Sequence, residues 1–142
     1  MQESFGIRDE SVFKAASGLH GGIGGKGDVC GSLMGASLML GMMCGSSIEE
    51  SGKPKEHFNP AEIDLPTRLV GELYEWFDKE FGTVKCRKIL SQHKKEVAAD
   101  PNAKGLTKEE RMGRIHAKCG ELCGKTAART AEILWDALNK GK

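Results

Sequence analysis

Five cysteines, Cys30, Cys44, Cys86, Cys119 and Cys123, hold the richest chemistry in this 142-residue chain. A thiolate attacks disulfides and ligates soft metals. An odd number of cysteines does not suit a fully paired extracellular framework, and in a reducing compartment such density points to metal or redox work. Cys30 closes a glycine-crowded stretch, GLHGGIGGKGDVCG over 18–31, and stands before an apolar run without charge. Ordering so many glycines is costly, so the backbone there must turn tightly or approach something closely. This places Cys30 at a helix start, where unpaired N–H groups favour a thiolate and make it a low-pKa attacker. His20, in the same glycine stretch, could reach a site beside Cys30. His116, Cys119 and Cys123 follow one another at intervals of three and four, which puts an imidazole and two thiols on one helical face.

No zinc-ribbon or ferredoxin spacing is present, so a shared site must be assembled by folding. Cys44 and Cys123 also read as small buried hydrophobes, Met34, Met39, Met42 and Met43 as adaptable core filler, and His57 and His93 as surface residues. CxxCH is absent, which excludes covalently attached c-type haem. Gly22-Ile23-Gly24-Gly25-Lys26-Gly27 satisfies GxGxxG. Nothing before it resembles a strand, so a dinucleotide site lacks its context. No serine, histidine and acid arrangement supports a hydrolase.

The elements that must position these groups read as helices. Asp9 is the expected N-cap of a short helix to Ser17, with Val12, Phe13 and Ala16 on its apolar side and Gly18 as its stop. A central, most buried helix is expected from Asp28 or Val29 to Cys44. In it Gly27, Gly31 and Gly35 recur every four residues, a small-residue face that lets another helix come close. Residues 46–60 read as a polar surface loop. Leu65, Leu69, Leu73, Trp76, Phe77 and Phe81 keep helical spacing from Asp64 or Leu65 to Phe81, with Gly82 as terminator. A shorter helical turn over Lys85 to His93 carries Cys86, and a second polar loop follows through Gly105. Thr107-Lys108-Glu109-Glu110 forms a capping box for a last helix to Asn139, which Gly120 and Gly124 would bend. The expected class is all-α, a bundle of four to five helices.

At 39% hydrophobic and 29% charged residues, the chain fits one domain over 1–142 with its own core. Its 21 basic and 20 acidic residues leave a net charge of +1, too little to draw in nucleic acid or an anionic membrane surface. MQESFGIRDE lacks a basic n-region and an apolar h-region, and glycines and serines break the longest uncharged run. The expectation is a soluble cytoplasmic protein without a membrane partner.

Cys30-Gly31-Ser32-Leu33-Met34-Gly35, behind GGIGGKGDV and ahead of ASLMLG, resembles the redox-active proteins named after their C_GCAxxG_C_C cysteine pattern. The resemblance covers nearly the whole length. It places Cys86, in FDKEFGTVKCR, at the family's third cysteine and Cys119, ahead of TAEILWDAL, at the fourth. Ser32 replaces the usual alanine. The family's first cysteine, expected upstream of SFGIRDES, has no counterpart: either the start is truncated, or Cys123, Cys44 or His20 takes its place. The resemblance, which extends to split-Soret-type cytochromes, implies that Cys30, Cys86 and Cys119, with Cys123 as a further metal ligand, hold an iron–sulfur cluster or other metal. In that reading backbone N–H groups of the glycine loop, at Gly24, Gly27 and Gly31, hydrogen-bond the sulfurs and the protein transfers electrons to a redox partner. The alternatives are thiol–disulfide cycling by the same cysteines, and a helical interaction protein, with the small-residue helix as a dimer seam, whose cysteines only pack.

Overall fold

Helix-forming signals and apolar periodicity translate into five α-helices in the computed structural model, which describes residues 6, 8–46 and 64–139. They are α1 (Glu10–Ala16), α2 (Gly31–Cys44), α3 (Leu65–Phe81), α4 (Cys86–Ala99) and α5 (Lys108–Asn139). Among the described residues there is no strand, only an isolated antiparallel bridge between Val29 and Lys85. The class is all-α, as the sequence predicts. The expected polar loop after Ser46 lies outside the described residues.

Asp9 caps α1 by accepting from the Val12 N–H at 3.0 Å. The helix buries nothing, however: Phe13 is 70% exposed, so the expected apolar side lies open. A 3-10 turn, Ser17–Leu19, then leads into the glycine loop. The α2 helix begins later than expected, at Gly31, with Cys30 as its N-cap, so Gly27 belongs to the loop. Leu33, Ala36, Met39 and Leu40 of α2 are buried against α3 and α5, which makes it the central helix. Of its glycine face, Gly31 makes a close approach, to the 3-10 turn rather than to another long helix. A Cβ at Gly35 would meet open space, whereas one at Gly31 would lie 2.8 Å from the Leu19 carbonyl oxygen.

In α3, Asp64 caps the start and left-handed Gly82 ends it, while Leu69, Leu73 and Phe77 enter the core. Phe77 and Phe81 stack edge-on with centroids 4.6 Å apart. The fourth helix runs six residues past His93, because Gln92 to Ala99 contains no breaker before Asp100-Pro101 and Val97 gains a buried position. The predicted capping box of α5 is formed: Glu110 N–H donates to Thr107 Oγ1 at 3.2 Å, and Thr107 N–H donates to Glu110 Oε2 at 2.7 Å. From there α5 continues unbroken through Gly120 and Gly124.

This long helix joins the others. Arg129 meets Glu72 at 2.7 Å and Lys125 meets Glu80 at 2.8 Å, so α3 and α5 run antiparallel. Lys118 meets Glu96 at 2.8 Å and Arg114 meets Asp100 at 2.7 Å, so α4 and α5 do too. One apolar cluster unites Leu33, Leu40, Leu73, Phe77, Ile89, Leu122, Ile133 and Leu134 with Cys30, while a smaller one joins Val97, Ala103 and Ile115. No described helix is long and apolar enough to cross a membrane.

Candidate functional site: a group of four cysteines

The glycine loop is a left-handed coil. Gly21, Gly22, Ile23, Gly24 and Gly25 all have φ between +56° and +76°, a conformation that an L side chain enters at a cost. Its amides are used internally: Gly24 N–H donates to Gly18 O at 2.8 Å, Gly25 N–H to His20 O at 2.9 Å and Gly27 N–H to Gly21 O at 3.0 Å. Coiled this way, the loop docks on the start of α4. Cys30 N–H donates to Val84 O at 2.8 Å, Cys86 N–H to Asp28 O at 2.7 Å and Arg87 N–H to Gly27 O at 2.9 Å. These bonds flank the Val29–Lys85 bridge and set Cys30 and Cys86 diagonally across it, each where a helix begins. Gly22 is buried against the pair. A Cβ there would stand 2.7 Å from Cys86 Cβ and 2.8 Å from both the N and O atoms of Asp28.

Cys119 and Cys123 arrive from α5. The charge of Cys86 bears on both Cys30 and Cys119, more strongly than that of any other sulfur, and Cys123 bears on the same two. Four of the five cysteines therefore form one electrostatic group, with Cys86 acting on both Cys30 and Cys119. All are free thiols. Cys30 is 9% exposed, Cys86 and Cys119 are half-buried and Cys123 is open to solvent. Cys44 ends α2, about 20 Å of helix from Cys30, and stands apart. His20 and His116 are exposed. Of Cys123, Cys44 and His20, Cys123 is the one whose charge reaches this group.

The Ser32 and Leu33 N–H groups at the start of α2 act to lower the Cys30 pKa, the effect expected of a helix start. Burial outweighs them, and with the neighbouring sulfurs it pushes the Cys30 thiol up rather than down. Cys119 is raised in the same way, by burial first and then by Cys86, Cys123 and Cys30. At neutral pH both are thiols, so Cys30 is not the low-pKa attacker the sequence predicts. The amides that serve its sulfur belong to Ser32 and Leu33. Gly24 and Gly27 spend theirs inside the loop, and the bare α-carbons of Gly27 and Gly31 admit Arg87 and the Leu19 carbonyl.

The donor set is all sulfur, the chemistry of an iron–sulfur centre. Its spacing is not that of a mononuclear site: among the described residues no three His, Cys, Asp or Glu side chains are close enough to hold one metal ion. One buried polar group escaped the sequence reading. His93, expected at the surface, has a side chain only 15% exposed, and neither ring nitrogen has a hydrogen-bond partner. Its place two turns after Cys86 on the α5-facing side of α4 was the available signal.

No curated protein and no solved structure matches this chain. The sequence model of one family does, over residues 1–133, under the description "Putative redox-active protein (C_GCAxxG_C_C)". That span contains the glycine loop and all four clustered cysteines, so the chain belongs to the C_GCAxxG_C_C family of redox-active proteins.

Proposed function

We propose that the protein is a thiol–disulfide redox protein whose working sulfur is Cys86, closing reversibly onto Cys30 or Cys119. The observation that supports this is the shared position of Cys86, the half-buried sulfur that acts most strongly on both other thiols. Cys30, nearly closed to solvent, communicates with a partner through it. In the oxidising direction the Cys86 thiolate attacks a partner disulfide, the partner's S–S bond breaks and one half leaves as a thiol. Cys30 or Cys119, its proton lost to solvent, then displaces the second half from the mixed disulfide. The partner gains two electrons as two thiols, and the protein holds one new S–S bond.

The all-sulfur donor set, with the Ser32 and Leu33 amides on Cys30, favours a second reading in which Cys30, Cys86, Cys119 and Cys123 hold an iron–sulfur cluster. Anaerobically purified protein, assayed for iron and visible absorbance and then titrated in dithiothreitol buffers of graded poise, separates the two. The expected outcome is a colourless, metal-free protein that loses and regains two thiols per chain, with the bond mapped to Cys86. Cys86→Ser abolishes the loss and Cys44→Ser leaves it intact. Iron near stoichiometry with visible absorbance would replace this reading with the cluster. A metal-free protein with no reversible thiol loss would leave a helical interaction protein with packed cysteines.

A further inference from the structure

The backbone clasp that holds Cys86 also places cations around it. Lys85 and Arg87 are its chain neighbours, and both are exposed. The Arg87 guanidinium donates through Nη2 to the Lys26 carbonyl at 2.8 Å, which brings the exposed Lys26 to the same rim. The nearby carboxylate is Asp28, 3.6 Å from Lys85 Nζ, and both partners of that pair are more than half exposed. That carboxylate offsets one of the three cations, so positive charge remains in surplus, and the positive starts of α2 and α4 add to it. The opposite wall, on α5, carries no surplus of cations: Lys118 pairs with Glu96, Lys125 with Glu80, and Glu121 adds one further carboxylate near the two lysines.

We propose that the disulfide exchanged at Cys86 is an anionic one, with carboxylates beside its sulfur atoms received by Lys26, Lys85 and Arg87. This rests on the thiol–disulfide reading above and names its substrate class. The step balances as written there: the anionic disulfide is the oxidant, accepts two electrons and leaves as two carboxylate-bearing thiols. A chain whose overall charge is almost nil thereby gains selectivity from a local field, which raises the concentration of an opposite charge at the sulfur.

The test compares second-order rates of thiol loss with dithiodipropionate, hydroxyethyl disulfide and cystamine, which are anionic, neutral and cationic. Each rate is divided by that of the same probe with mercaptoethanol, to remove intrinsic differences in leaving group. At low ionic strength the reduced protein should prefer dithiodipropionate to cystamine by about tenfold. The preference should fall toward unity by about 0.5 M salt, where the screening length is only a few ångströms. Lys26→Glu/Lys85→Glu should invert the preference, read as the ratio of the dithiodipropionate rate to the cystamine rate, in which any common change in Cys86 reactivity cancels. Equal normalised rates for the three probes, or a preference indifferent to salt, would overturn this proposal while leaving thiol exchange standing. Absence of exchange with all three would remove the thiol–disulfide reading itself.

Discussion

At the scale of single residues, the sulfur atoms differ in what surrounds them more than in where they fall in the chain. Burial and neighbouring sulfurs raise Cys30 and Cys119, so both stay protonated beyond the ordinary cysteine pKa of about 8.5. A folded-state pKa above the unfolded value means that the native state binds the proton more tightly. The associated stability is complete below the unfolded pKa and is lost as pH rises through the folded one. Stability measured by urea unfolding should therefore decline above about pH 8.5, and Cys86→Ser, by removing the strongest neighbouring sulfur charge, should shift the Cys30 alkylation midpoint to lower pH. An unmoved midpoint would mean that the sulfurs do not sense one another. His93 makes a second case. Both ring nitrogens are covered without a hydrogen bond, Nδ1 having only Glu96 Oε2 at 3.9 Å, so an apolar side chain suits the place better and His93→Leu should raise the unfolding free energy by about 1 kcal/mol. Sequence alone placed Cys30 at a helix start but did not foresee the direction of its pKa, because the amide effect is local to that start whereas burial is a property of the packed molecule.

The left-handed loop is the element on which the site depends. Its composition announced a tight turn, and seven glycines between Gly18 and Gly31 are what such a coil requires. The roles of individual glycines were not legible. Gly22 has φ +76° and no room for a methyl group, since its contacts include backbone atoms of Asp28 that cannot swing away. Gly22→Ala should cost at least about 2 kcal/mol, from left-handed strain plus the displaced clasp, and should slow exchange at Cys86. Gly24 has φ +56° with nothing near it, so Gly24→Ala carries the strain alone and should cost about 1 kcal/mol. Equal losses for the two, in paired thermal and urea unfolding, would deny that the loop is shaped to fit Cys86. The capping box of α5 was readable to the residue because all of its partners lie within four positions.

For the whole molecule, α5 is the member that binds the bundle. Its ion pairs reach α3 and α4, and it adds Ile133 and Leu134 to the cluster that also contains Cys30. Phe77 is fully buried in that cluster and edge-stacked on Phe81. Phe77→Ala should destabilise the protein by about 3–5 kcal/mol in urea unfolding and broaden the reactivity of Cys30, whose shelter depends on the same packing. Loss of stability without new Cys30 alkylation would separate the core from the site. By itself, the sequence determined the all-α class, most helix boundaries, the glycine turn and the candidate sulfurs, because periodicity, caps and glycine tolerance act over a few residues. Tertiary structure alone decided that Cys86 bears on both Cys30 and Cys119, that Cys123 bears on the same two while Cys44 stands apart, and that the His93 ring nitrogens are covered. These outcomes follow from contacts between segments tens of residues apart, which helix packing creates and no local pattern encodes.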